Sequence, residues 1–76
     1  MKQETRLFFV VDSREDNEEI FATLEEAEKF YEVSNEENKP RLYIAIVKHA
    51  YYENDIKAWN YEDLSNTFEI IKMLKE

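Results

Sequence analysis

Carboxylates at helical spacing are the first chemistry this chain offers. Glu28, Glu32 and Glu36 recur every four residues. On a helix that sets successive carboxylates about 6 Å apart along one face. The spacing is close to that of phosphates along an extended nucleic-acid strand. Such a row suits a groove lined with Lys and Arg and built to hold DNA or RNA. Glu25, Glu28, Glu32 and Glu36 therefore form a candidate acidic binding face. The competing reading is a solvated helix face with no partner.

A second group is aromatic. Tyr51, Tyr52, Trp59 and Tyr61 are interleaved with Asn54 and Asn60. Large rings with a polar handle are enriched at interfaces and among the residues that dominate binding energy. These four are candidate aromatic anchors. The competing reading is that Trp59 and one or two Tyr complete a small core. Base stacking needs a basic track beside the rings, which this segment lacks.

Catalytic chemistry has little to work with. His49 is the lone histidine. It is a general base in principle, but it lies in an apolar run with no nucleophile beside it. A structural histidine at a sheet edge or interface is the reading we adopt. Ser13, Ser34 and Ser65 lack an elbow or oxyanion context. Paired carboxylates of the glycosidase kind need a cleft that 76 residues can barely build. Asp12, Glu15, Asp16 and Glu18 are oxygen-rich, as calcium sites are, but an EF-hand loop needs a glycine. The chain has no Gly and no Cys, which removes phosphate-cradling loops, disulfides and zinc–thiolate sites together. We therefore expect no enzyme, no metal and no cofactor.

Charge is concentrated. The net charge of −8 disfavours direct contact with nucleic acid or an anionic membrane, since both repel it at long range. Residues 12–38 carry eleven acidic side chains against Arg14 and Lys29, a net charge of −9. Residues 1–11 are net +1, and 39–76 balance six bases with six acids. With 43% apolar residues and 14% aromatic, the chain is too hydrophobic for a disordered acidic tail. No apolar run approaches the roughly 20 residues of a membrane span, and no targeting signal is visible. A cytoplasmic protein is the expectation. The bias toward residues with AT-rich codons suggests a low-GC bacterial or phage genome.

The elements that must position these groups follow from pattern. Arg6–Val11 is apolar and β-branched or aromatic, so it reads as a strand. Residues 13–17 form a turn cluster, and Glu18–Thr23 reads as a short second strand. In the expected hairpin Val11 lies opposite Ile20, and Val10 opposite Phe21. Thr23-Leu24-Glu25-Glu26 matches a capping box, with Thr23 as N-cap and Glu26 at N3. Leu24, Ala27, Phe30 and Tyr31 share one helix face, and Pro40 stops the helix, with its end between Val33 and Asn38. Arg41–Tyr52 is apolar at both parities, the mark of a central strand covered on both faces. Glu53-Asn54-Asp55 is a turn. Ile56–Tyr61 then pairs back, placing Ala50 near Trp59 and His49 near Asn60. Leu64, Phe68, Ile71 and Leu74 suggest a C-terminal helix capped by Asp63 or Ser65, with a strand over Thr67–Met73 as the alternative.

The expected fold is a single small acidic α+β domain over residues 1–76. It has a mostly antiparallel sheet of three to four strands and two helices, in the order ββαβ(β)α. One helix covers one face of such a sheet. The other face must take the C-terminal helix, a second subunit or a partner.

Two stretches carry a resemblance: Thr23-Leu24-Glu25-Glu26-Ala27-Glu28 after a short hairpin, and Trp59-Asn60-Tyr61-Glu62-Asp63 before Thr67-Phe68-Glu69-Ile70-Ile71. With them the chain resembles small acidic proteins of phages and mobile elements in low-GC Gram-positive bacteria. The resemblance covers under a third of the chain. It implies a non-enzymatic binder of host or defence proteins, with nuclease inhibitors among the relatives, and it assigns no residue. The functional expectation is an acidic protein-binding module, an inhibitor of the phage type that occupies the basic, nucleic-acid-binding surface of its partner. The alternative is a homodimeric structural or accessory protein whose second sheet face forms the interface.

Overall fold

The computed structural model describes residues 2–13, 18–62, 64 and 67–75, apart from the side chains of residues 35–38. Among the described residues, five strands and one helix follow the order ββαβββ: β1 (Glu4–Asp12), β2 (Glu18–Phe21), α1 (Leu24–Asn38), β3 (Arg41–Glu53), β4 (Ala58–Tyr61) and β5 (Phe68–Lys75). All pairings are antiparallel. The α+β class and the antiparallel sheet are as expected. The second helix is not: residues 68–75 form a strand.

That correction has a local cause. β5 pairs with β3 through Phe68–Val47, Ile70–Ala45 and Met73–Tyr43, with register shifts that leave Ile71 and Leu74 as extra residues. A bulge inserts one residue and interrupts the two-residue alternation of a strand. Residues on one face are then three apart at the shift, which imitates helical periodicity. The expected caps Asp63 and Ser65 lie outside the described residues.

α1 is the element whose local chemistry is clearest. Thr23 is extended, and its hydroxyl accepts from the Glu26 amide at 3.4 Å and donates to the Glu26 carboxylate at 3.1 Å. This satisfies one of the orphan donors of the first turn. Lys39, in the left-handed region with φ 46°, ends the helix ahead of Pro40. No helix among the described residues is long and apolar enough to cross a membrane.

β3 is the axis of the sheet. One edge carries β1 along Arg41–Ala50, and β2 pairs beyond it. The other edge carries β5 along Leu42–Val47 and then β4 along Ala50–Glu53. The β1–β2 register differs from expectation by one residue: Val10 faces Ile20, Phe9 faces Phe21, and Val11 faces Glu19. Asp12 stays in the strand opposite Glu18, because its carboxylate bonds Arg41, its neighbour across β3. The expected turn at residues 13–17 lies, apart from Ser13, outside the described residues. The β3–β4 register differs by two: Ala50 faces Tyr61 and Tyr52 faces Trp59. Here the turn runs over residues 54–57, with Lys57 at φ 51°, so β4 begins later than Ile56.

The two faces of the sheet are covered differently. One face holds Phe8, Val10, Ile20, Tyr43, Ala45, Val47 and Ala50, all buried. The other holds Val11 and Leu42 beneath Ala27 and Tyr31 of the helix, with Phe9, Phe21 and Phe30 at the margin. We call these the hairpin face and the helix face. Within the chain, the cover of the hairpin face is the β3–β4 hairpin rather than a second helix. Trp59, Tyr61, Phe68 and Met73 pack against it, with the Trp59 ring edge-on to Phe8 at 5.1 Å.

A bend in β3 makes this possible. The β1–β3 register slips by one between Arg6–Val47 and Glu4–Ala50, and His49 adopts φ 60°. A bulge of this kind raises local twist and redirects the strand. Residues 50–53 therefore leave the plane of the first half and carry β4 over the hairpin face. The curl brings the two ends of the strand order together, since the Tyr61 hydroxyl on β4 lies 3.1 Å from the Glu18 carboxylate and 3.4 Å from its carbonyl on β2.

Candidate functional site

Where β4 approaches β2, the described surface is indented. A groove of about 480 Å³ is lined by Glu19, Ile20, Phe21 and Ala22 of the β2 end, Glu26 of α1, and Tyr52, Ile56, Lys57, Ala58, Trp59 and Asn60 of the hairpin. Its walls come from segments more than 25 residues apart in sequence. Two expected groups therefore contribute one wall each. Tyr52 and Trp59 come from the aromatic set. Glu26 and Glu19 come from the acidic segment, though neither belongs to the carboxylate row.

The aromatic set divides on folding. Tyr52 is exposed and meets Trp59 edge-on at 5.6 Å. Trp59 is half-buried and carries the Arg6 guanidinium at 4.7 Å from its ring centre. That is a cation–π contact within the chain, on a ring at the groove. Tyr61 instead belongs to the core: it packs on Phe68 at 4.8 Å and bonds Glu18. Tyr51 does not line the groove. Ile56 is exposed at 62% on the turn beside it.

The carboxylate row is less open than its spacing suggests. Glu25 is exposed but pairs with Lys29 at 3.6 Å, one helical turn on. Glu28 is half-buried and pairs with Lys75 of β5 at 3.5 Å. The Lys75 ammonium also sits 5.4 Å from the Tyr31 ring. Glu32 is exposed. Glu36 falls in α1, but its side chain lies outside the described residues. Two of the three described members thus already face a lysine, one of them holding the helix to the sheet edge.

The remaining candidates have structural partners. His49 is exposed, at the bulge, with Nδ1 3.4 Å from the Gln3 side-chain oxygen Oε1. Asp12 is buried and bonds Arg41, whose guanidinium lies over the Tyr43 ring. Burial pushes the Tyr43 hydroxyl up to about 12, with the Asp12 and Glu18 charges adding to the shift and Arg41 opposing it. Of the oxygen-rich set, Glu15 and Asp16 lie outside the described residues. The segment around Trp59 and Thr67 is largely scaffold. Asn60 donates to Glu53 across the hairpin at 3.1 Å. Buried Thr67 accepts from the Leu64 amide and donates to the Glu62 carbonyl, pinning the passage from β4 to β5.

Sequence reasoning missed Glu19, Ile56 and Lys57 as site residues and read Glu26 only as a cap. No local signal marks them, because their proximity depends on the curl of the sheet. No protein-family model, curated protein or solved structure matches the chain.

Proposed function

We propose that this protein is a non-enzymatic binding module that docks a basic segment of another protein in the groove between β2 and β4. The observation that carries this reading is the convergence of Tyr52 and Trp59 with Glu19 and Glu26 on one indentation. Exposed Tyr52 offers a cation a ring face beside Trp59, which already carries Arg6, and two carboxylates against Lys57 give the groove lining a negative balance. The wider field acts in the same direction, since residues 12–38 carry −9 and raise the encounter rate with a positive partner. A partner that uses the same basic surface for nucleic acid is inhibited while it is occupied. The Glu25/Glu28/Glu32 row is the weaker candidate for the contact, because its lysine pairs must first be broken.

The single tryptophan lies in the groove wall and reports directly. Extended peptides rich in Lys and Arg are titrated while Trp59 fluorescence is followed. The expected result is saturable binding that weakens by about tenfold or more between 0.15 M and 1 M salt, as the screening length falls from about 8 to 3 Å. Glu19→Lys with Glu26→Lys removes it, and Glu25→Lys with Glu32→Lys leaves it in place. Salt-independent binding, or loss only with the second pair, overturns the groove assignment.

A further inference from the structure

Two strand edges face each other across the groove without joining. Among the described residues β2 pairs with β1 alone and β4 with β3 alone, and no backbone hydrogen bond links β2 to β4. In an antiparallel ladder the amide and carbonyl of one residue serve the same neighbour, and those of the next residue point the other way. The Lys48 amide donates to the Thr67 carbonyl at 2.9 Å, on the β5 side of β3. Alternation from there turns Val47 and Ala45 toward β1, and Phe9 and Val11 of β1 toward β2. Their partners Phe21 and Glu19 point back to β1, which leaves the backbone groups of Glu18 and Ile20 facing the open edge. The Tyr61 hydroxyl meets the Glu18 carbonyl on that same side, at 3.4 Å.

We propose that the basic segment docks as an added antiparallel strand on this edge of β2, a mode that rests on the groove being the docking site. Ile20 lines the groove yet is only 6% exposed. Its outward amide and carbonyl thus lie where water is scarce, with no ladder partner among the described residues, a condition that buried backbone groups rarely keep. An arriving strand supplies both partners. Ala22 has the same parity, is exposed and also lines the groove. Thr23 is extended as well, so the edge runs on to the helix cap. At the other end the Tyr61 contact ties β4 to β2, so the strand lies along Ile20 and Ala22. Parity then sets its side chains. Those opposite Ile20 share its face and turn toward Trp59, whereas their neighbours share the face of Glu19, on the side of α1 and Glu26. The fitting occupant has Lys or Arg at every second position and β-branched apolar residues between. Main-chain bonds hold such a strand, and its alternate side chains select it. A basic helix fits neither requirement, because its backbone donors are used internally and its charges recur every three or four residues.

The test uses the full chain, Trp59 fluorescence and a peptide of about eight residues alternating Lys with Val, long enough to span a strand. Methylating the Val amide nitrogens removes the donors that face Ile20 and Ala22, and is expected to weaken binding by about tenfold or more. Methylating the Lys amides, which point away from β2, is expected to change it by less than about threefold. An isomer with its lysines in adjacent pairs binds at least about fivefold more weakly than the alternating peptide, since half of its charges fall on the wrong face. Losses equal for the two methylated peptides, or confined to the Lys set, overturn the added strand. So does an isomer that binds as well as the alternating peptide. If that binding still requires Glu19 and Glu26, the groove stands and its strand mode falls. Binding by none of the basic peptides removes both.

Discussion

The two faces of the sheet are built from almost the same residue types and end in opposite conditions. On the hairpin face, Phe8, Val10, Ala45 and Val47 are sealed by rings from β4 and β5. On the helix face, Val11 and Leu42 are sealed, but Leu7, one row past Phe9, is open. The difference lies in the cover. A bent strand pair follows the curvature of its own sheet, because β4 is hydrogen-bonded to the strand it folds over. A single helix of fifteen residues is a straight rod against a curled surface, and it touches only part of it. Closure by a strand completes one core, whereas closure by a helix leaves an apolar strip partly bare.

The sharpest way to break this comparison is to truncate neighbours on opposite faces. Phe8→Ala on the hairpin face removes a ring that is 1% exposed and is expected to cost about 3–5 kcal/mol. Leu7→Ala, its neighbour on the helix face, is expected to cost less than about 1 kcal/mol in the monomer. Urea unfolding of both variants at micromolar concentration checks the pair. Equal losses would mean that the strip is already covered within one chain.

A second prediction acts on the hairpin face alone. The Tyr43 hydroxyl is raised to about 12 from an unfolded value near 10. A raised pKa contributes nothing below the unfolded value and lowers stability as pH climbs from there to the folded value. Stability is therefore expected to fall between about pH 10 and 12, by on the order of 2 kcal/mol. Tyr43→Phe should flatten that limb when melting is followed across the range. An unchanged alkaline limb would show that other tyrosines set it.

The smallest effect concerns the bend itself. His49 at φ 60° is in a region that costs most non-glycine residues roughly 1–2 kcal/mol. His49→Gly should hold or raise stability, by up to about 1 kcal/mol. His49→Val should lower it by about 1–2 kcal/mol, since β-branched residues tolerate that region least. Thermal melts of the two variants give the sign. A loss with glycine would assign the histidine ring, through its Gln3 contact, a larger part in the bend than the backbone.

Legibility tracked the range of the forces involved. The cap of α1 was readable because Thr23 and Glu26 act across one turn. β1 and β3 were readable because their apolar runs need no distant information. Registers were not: the β1–β2 pairing depends on where Asp12 meets Arg41, a contact spanning 29 residues. β5 was misread as a helix because two bulges turned a strand's alternation into a spacing of three. Of the proposed site residues, Tyr52 and Trp59 were legible as candidates, and Glu26 only as part of a cap. Glu19, Ile56 and Lys57 were not, since only the curl makes them neighbours.

Composition and local pattern alone determined that this is an acidic α+β chain with a helix capped by Thr23, an apolar central strand and its charge gathered in residues 12–38. Those properties depend on residue type and on contacts within a turn or two. Tertiary structure decided that the central strand bends at His49 and that the hairpin rather than a second helix covers one face. It also decided that acids and rings meet at a groove while an apolar strip stays bare. Each of these depends on which distant backbone segments share hydrogen bonds, and such pairing is settled by the packing of the whole sheet.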